Sequence, residues 1–106
     1  MEKPNLDYIK EISAGSEEFE QKFIDIIKSE FPKEKSDYLT FFDKGELDES
    51  SKVVHKIKHK FGILGMKDSY ELAIKYEKDL KAGDTKLKDD FSGVLNMVDE
   101  FIVKIT

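Results

Sequence analysis

The sequence predicts an all-α fold: an up-and-down antiparallel four-helix bundle with an additional short N-terminal helix. Three observations carry this. Apolar residues recur at three- and four-residue spacing along most of the chain, and no segment alternates with period two for long enough to make a strand. The breaks between periodic segments are only a few residues long, so neighbouring long helices must run antiparallel.

Each element has its own signals. Pro4 suits a first helical turn, and Leu6, Ile9 and Ile12 follow at helical spacing until Ser-Ala-Gly-Ser (13–16) breaks the pattern. Ser16 is placed to cap a second helix, with Glu17 and Glu18 favourable against its dipole and Phe19, Phe23, Ile26 and Ile27 as its buried stripe. Pro32 is expected to separate that helix from a third segment carrying Tyr38, Leu39, Phe41 and Phe42, which stops at Gly45. Asp48 offers an N-cap for a helix that runs to about Leu64 and ends at Gly65. Asp68 offers one for the next, with Leu72, Ala73, Tyr76 and Leu80 facing inward before Ala-Gly-Asp (82–84). The last helix has the most regular pattern, through Leu87, Phe91, Val94, Leu95, Val98, Phe101, Ile102 and Ile105. It reads as a core-facing strut.

Composition narrows the function. The 106 residues read as one domain, 1–106, able to bury somewhat under about 70 % of the unfolded surface. There is no cysteine, so neither a disulfide framework nor a thiolate metal site is available. The opening Met-Glu-Lys-Pro-Asn has no signal pattern, and no apolar run approaches the roughly 18 residues of a membrane span, so a cytoplasmic location is expected. All 18 basic residues are lysines against 23 acids. Without the arginine fork, and with a net charge of −5, nucleic-acid recognition is disfavoured.

The stretch Ser51 to Met66 concentrates the chemistry. Val54, Ile57, Phe61 and Leu64 form one apolar stripe, and His55, Lys58, His59 and Gly62 fall on the opposite face. His55 lies about 140° from the centre of the stripe at roughly 100° per residue, so it is expected at the surface. Lys58 is one turn on, within reach of a group carried by the imidazole. Gly62 costs about 0.5 to 1 kcal/mol against alanine inside a helix, which points to close approach by another body. Charge gathers here too. Residues 50–67 hold five lysines and no acid, whereas the other 13 lysines stand against all 23 acids. Such a run is usually a solvated face, but its coincidence with His55 favours a field for a phosphoryl group and an acidic partner.

These residues carry a family resemblance. His55-x-x-Lys58, the aliphatic Ile57, Gly65 ten residues after the histidine, and Met66 resemble the signature of histidine-containing phosphotransfer (HPt) domains. An apolar helix ending near a proline, the histidine helix, a following helix and a Gly-Asp turn are laid out in the family's order across nearly the whole chain. The resemblance implies that His55 accepts a phosphoryl group from a receiver-domain aspartate and passes it to another receiver, and that Lys58 contacts that group. It implies response-regulator receivers as partners, a hybrid sensor kinase among the candidates, with any magnesium on the receiver and no cofactor here. One departure is His59, where the family has a small residue; it narrows the approach and adds a second candidate acceptor.

The chemistry is consistent. A neutral imidazole attacks phosphorus through its in-plane lone pair, and an ordinary histidine is mostly neutral near pH 7. Lys52, Lys56 and Lys58 disfavour a further positive charge, and Lys58 would pair with phosphoryl oxygens. No glycine-rich phosphate loop, P-loop lysine-serine pair or magnesium carboxylate triad is evident, so a carrier without its own kinase activity is expected. Donor and acceptor would share the surface from Val54 to Gly62, including Lys56 and His59, with nearby exposed apolar groups adding affinity, and a monomer is the default. His55 and His59, four apart, form the start of a zinc site, with Glu77 as a further candidate ligand; flanking lysines oppose a dication, and no metal is expected. Two other readings stay open: an HPt-like docking module without transfer, and a structural helical domain.

Overall fold

The computed structural model describes residues 2–105 and is all-helical, with no strand among them. Its five helices are α1 (Asp7–Ser13), α2 (Glu17–Asp43), α3 (Leu47–Ile63), α4 (Lys67–Lys81) and α5 (Lys88–Lys104). α3 packs most extensively, against α4 and α2; α5 lies against α4 and α2, and α1 against α2. Among these residues no helix is long and apolar enough to cross a membrane.

Pro32 does not divide α2. The helix runs 27 residues through it, because Ile24, Ile27, Phe31 and Tyr38 keep one buried face on both sides of the proline. The ring itself is exposed, so what is lost is one backbone hydrogen bond at the solvent side. The buried face is also rotated from the expected one. Phe19 and Ile26 are exposed, as are Ile12 of α1 and Leu39 of α2, while Ile24 is buried. α1 begins at Asp7, after Pro4, whose ring is buried upstream of the helix.

The helix ends follow hydrogen-bond accounting. Ser16 Oγ accepts from the Phe19 amide at 3.2 Å, as its position predicts. Asp48 and Asp68 are not caps, because both helices start earlier and place these acids in the first turn. The exposed amides of α4 are served instead by Glu2, whose carboxylate accepts from Asp68 at 3.0 Å and Ser69 at 2.7 Å. Partial burial raises the Glu2 pKa, but those two backbone bonds outweigh it and leave the carboxyl below its usual range. Gly65 closes α3 with φ +73°, the Met66 amide bonding to the Phe61 carbonyl at 2.9 Å and the Gly65 amide to that of Gly62 at 3.2 Å. This is the Schellman pattern, and it demands a residue that tolerates positive φ. A Cβ at Gly65 would also fall 2.8 Å from the Asn5 side chain, and the Asn5 amide donates to the Leu64 carbonyl at 2.8 Å. The N-terminal segment is thus strapped across the α3–α4 turn.

The core is centred on one ring from each long helix. Tyr38, Phe61, Tyr76 and Phe91 are all fully buried, and Phe91 lies 5.2, 5.8 and 4.9 Å, centroid to centroid, from Tyr38, Phe61 and Tyr76. The two phenol oxygens meet at 2.5 Å, one hydroxyl donating to the other away from water. Burial pushes both phenols above their usual pKa. Replacing Tyr38 with Phe strands the Tyr76 hydroxyl and should cost about 1 to 3 kcal/mol in urea unfolding, while the Tyr38→Phe/Tyr76→Phe double variant should lose less than the sum of the singles.

Candidate functional site

The α3–α4 hairpin positions the site. Its helices are antiparallel about Met66, so residues equally far from Met66 face one another: Gly62 opposite Tyr70, and His55 opposite Glu77. His55 sits on the outer face of α3 with its side chain 52 % exposed. Its Nδ1 is 3.2 Å from Glu77 Oε1 and 3.2 Å from Lys58 Nζ, and Lys58 Nζ is 3.4 Å from the same carboxylate oxygen. Lys81 reaches the other oxygen, Oε2, at 3.5 Å. An imidazole, an ammonium and a carboxylate therefore close a triangle of which only the imidazole is open to solvent.

The triangle admits two tautomers: with the proton on Nδ1 the imidazole donates to Glu77, and with it on Nε2 the bare Nδ1 accepts from Lys58. The carboxylate favours the first, because a bare Nδ1 would set its lone pair against an anionic oxygen at 3.2 Å, while Lys58 has that same oxygen to pair with at 3.4 Å. The Nδ1–H form leaves the lone pair on Nε2.

Glu77 is shaped by the same contacts. Its burial works to raise the pKa, and the hydrogen bond from His55 and the positive charge of Lys58 outweigh that, leaving the carboxyl below its usual value. His59 is moved the other way, away from protonation, first by burial and then by the charges of His55, Lys58 and Lys60. Its ring stands edge-on to the His55 ring, 5.0 Å between centroids and 87° between planes.

The remaining expected site residues divide. Lys56 and His59 are exposed on the same arc of α3 as His55. Gly62 is exposed, but the body beside it is the Tyr70 ring, whose carbon would lie 3.4 Å from an added Cβ. Val54 is a correction: it is fully buried, one residue before His55 and facing the core, so it cannot belong to a partner-binding surface. Lys58 is only 9 % exposed, because its stem packs into the α3–α4 groove and its ammonium lies 5.8 Å from the Tyr70 ring centre. Lys60 faces the opposite seam and is likewise buried, pairing with Glu30 at 2.8 Å and Glu34 at 3.4 Å on α2. Lys52 pairs with Glu49 at 3.1 Å. The lysine run is thus less a free positive field than its sequence implies. The large exposed apolar side chains lie on α1, α2 and α5, not beside His55, so the expected apolar fringe of the site is missing among the described residues.

Among the described residues no group of three or more His, Asp or Glu side chains is arranged to hold a metal ion. The third corner of the His55 cluster is Lys58, an ammonium with no lone pair to offer. In the sequence Glu77 stands out only as a possible zinc ligand. Its link to His55 follows from the antiparallel register of α3 and α4 about Met66, which spacing within one helix does not carry. No protein-family model, curated protein or solved structure matches the chain.

Glu77 ionises at lower pH in the folded chain than in the unfolded one, where a glutamate titrates near about 4.3. The unfolded state therefore takes up more protons as the pH falls. The stabilisation from Glu77 is fully present above about pH 4.5 and is lost as the pH drops through its folded pKa. Denaturant unfolding from about pH 6 to about pH 3 should show a steeper loss of stability for wild type than for Glu77→Gln.

Proposed function

We propose that the chain is a histidine phosphotransfer protein of a two-component phosphorelay, with His55 as the phosphoryl acceptor. The observation that carries this reading is the half-exposed imidazole whose Nδ1 is engaged by Glu77. The residues that support the reading lie on α3 and α4, and an ATP site is not part of the proposal. We take α2 to α5 as an up-and-down four-helix bundle with α1 as the additional helix, and residues 1–106 as one HPt-like domain.

In this mechanism the Nε2 lone pair attacks phosphorus in a receiver's aspartyl phosphate, whose O–P bond breaks as the N–P bond forms and whose carboxylate departs. No proton need leave Nε2. The positive charge that develops on the ring is met at Nδ1 by Glu77, through a hydrogen bond that strengthens as the charge grows. Lys58, 3.2 Å from Nδ1, is close enough to turn its ammonium to a phosphoryl oxygen while its buried stem stays in place. Passing the group to a second receiver is the same displacement reversed. Magnesium belongs to the receiver, and the working location is the cytoplasm, with the chain acting as a monomer.

Receivers would dock over the exposed arc of Lys52, His55, Lys56 and His59. A second reading has a specific basis: the His59 ring packed against His55 occupies space an incoming receiver would use, which suits a docking module that no longer transfers.

The test is phosphoryl transfer from a phosphorylated receiver domain, scored by acid-labile label and intact mass. Wild type and His59→Gln should take label and His55→Gln none, while Lys58→Ala should slow transfer about ten- to a hundredfold, the worth of one hydrogen bond between charged groups. Binding of the receiver without label on wild type would select the docking module instead.

A further inference from the structure

α4 has a second flank. Leu72 and Asp68 lie about 140° and 180° around the helix from Glu77 at roughly 100° per residue, so they face away from the His55 site. There α4 meets α5 over far less of its length than it meets α3, and the gap is a groove of about 410 Å³. Its floor is apolar, from Leu72, Val94 and Met97. Its rim is acidic, from Asp68, Asp89 and Asp90, and no lysine lines it among the described residues although the chain carries 18.

Each aspartate sits in the first turn of its helix, where the dipole favours it. That accounts for the acids one at a time, but not for three of them on the two sides of one apolar trough with no cation between. Gly93 adds to the case. It occupies an exposed helical position in the groove, where a Cβ would meet nothing within 4 Å, so the packing of this chain gives no reason to omit a side chain. Beyond Met97 a second depression of about 270 Å³ follows along α5, lined by Phe101 together with Lys3, Glu100 and Lys104, so the purely acidic rim is confined to the first groove. From Asp89 to Lys104 the two together span about 22 Å of helix axis at about 1.5 Å per residue, a shape that a compact small molecule fills only in part.

We propose that the α4–α5 groove is a docking site for a basic amphipathic helix of a partner protein, its apolar stripe on Leu72, Val94 and Met97 and its lysines or arginines over Asp68, Asp89 and Asp90. Helix-in-groove recognition supplies the geometry, the absent Gly93 side chain the clearance, and the unopposed aspartates the sign of the partner's charge. Met97 suits such a floor, because an unbranched thioether adapts to differing apolar surfaces. Since the groove and His55 lie on opposite flanks of α4, both can be occupied together. This site does not depend on the phosphotransfer reading.

The probes are two 14-residue capped peptides, one an amphipathic leucine-lysine helix and the other identical with glutamate for lysine, titrated into the full chain by calorimetry and amide-shift mapping. The lysine peptide should bind wild type, with shifts centred on Asp68, Leu72, Gly93 and Met97, and the glutamate peptide should not. Gly93→Leu, which fills the trough at a position with room for a side chain, should weaken binding about tenfold or more. Asp89→Lys/Asp90→Lys should lose the lysine peptide and gain the glutamate one. Shifts centred instead on the acidic α2 surface around Glu30 and Asp37, equal binding by Gly93→Leu, or no binding at all would overturn the proposal. A concentration-dependent dimer abolished by Gly93→Leu would also overturn it, by giving the groove to a second copy of the chain.

Discussion

The antiparallel pairing of α3 with α4 about Met66 is the constraint on which the rest of this molecule depends. It is set by a backbone event, the positive-φ closure of α3 at Gly65, and held by buried groups on both sides of the turn. Phe61, Leu64 and Met66 are fully buried there, and the N-terminal segment locks the turn from outside through Glu2 and Asn5. Eleven residues from Met66 in each direction, the same register brings Glu77 onto His55. The imidazole is thus held by the fold through Glu77 as well as by Lys58, one turn along its own helix. Glycine at position 65 has a structural explanation in the turn itself, before any partner is considered.

Two lysines show how the helix bearing His55 serves both packing and chemistry. Lys58 and Lys60 are buried on opposite seams of α3, the first against Glu77 of α4, the second against Glu30 and Glu34 of α2. Neither is a free surface charge. Burying an ammonium is costly unless a carboxylate meets it, and breaking such a pair costs more than the pair contributes. Desolvation is felt on the other partner as well, since burial leaves the Glu34 carboxyl above its usual pKa despite the opposing charge of Lys60. These pairs fit the rotation that the buried stripe Val54, Ile57, Phe61 and Leu64 gives α3, with His55 turned outward.

Much of this was legible in the sequence. The number and order of helices follows from periodicity, apart from the join at Pro32, and the exposure of His55 follows from its angle to the apolar stripe. What periodicity could not supply were interactions between elements. The continuation of α2 through Pro32 rests on buried residues on both sides that outweigh one lost backbone bond. Glu2 caps α4 from 66 residues away, a pairing no local cap signal carries. The burial of Lys58 and Lys60 depends on which helices flank α3, and lysine reads as exposed by default. Val54 belongs to the core stripe by its spacing, and that position removes it from the partner surface that its neighbour His55 suggests. Glu77 was visible as a residue but not as a partner, because its role comes from the register of the hairpin.

The central claim is that Glu77 fixes the proton of His55 on Nδ1 and leaves the lone pair on Nε2. Long-range nitrogen–proton correlation spectra of the imidazole side chains, recorded with the pH raised until they stop changing, read the tautomer of each neutral ring directly. The account predicts that wild-type His55 is predominantly the Nδ1–H form and that Glu77→Gln shifts it toward Nε2–H. A wild-type His55 already in the Nε2–H form, or one indifferent to Glu77→Gln, would contradict it.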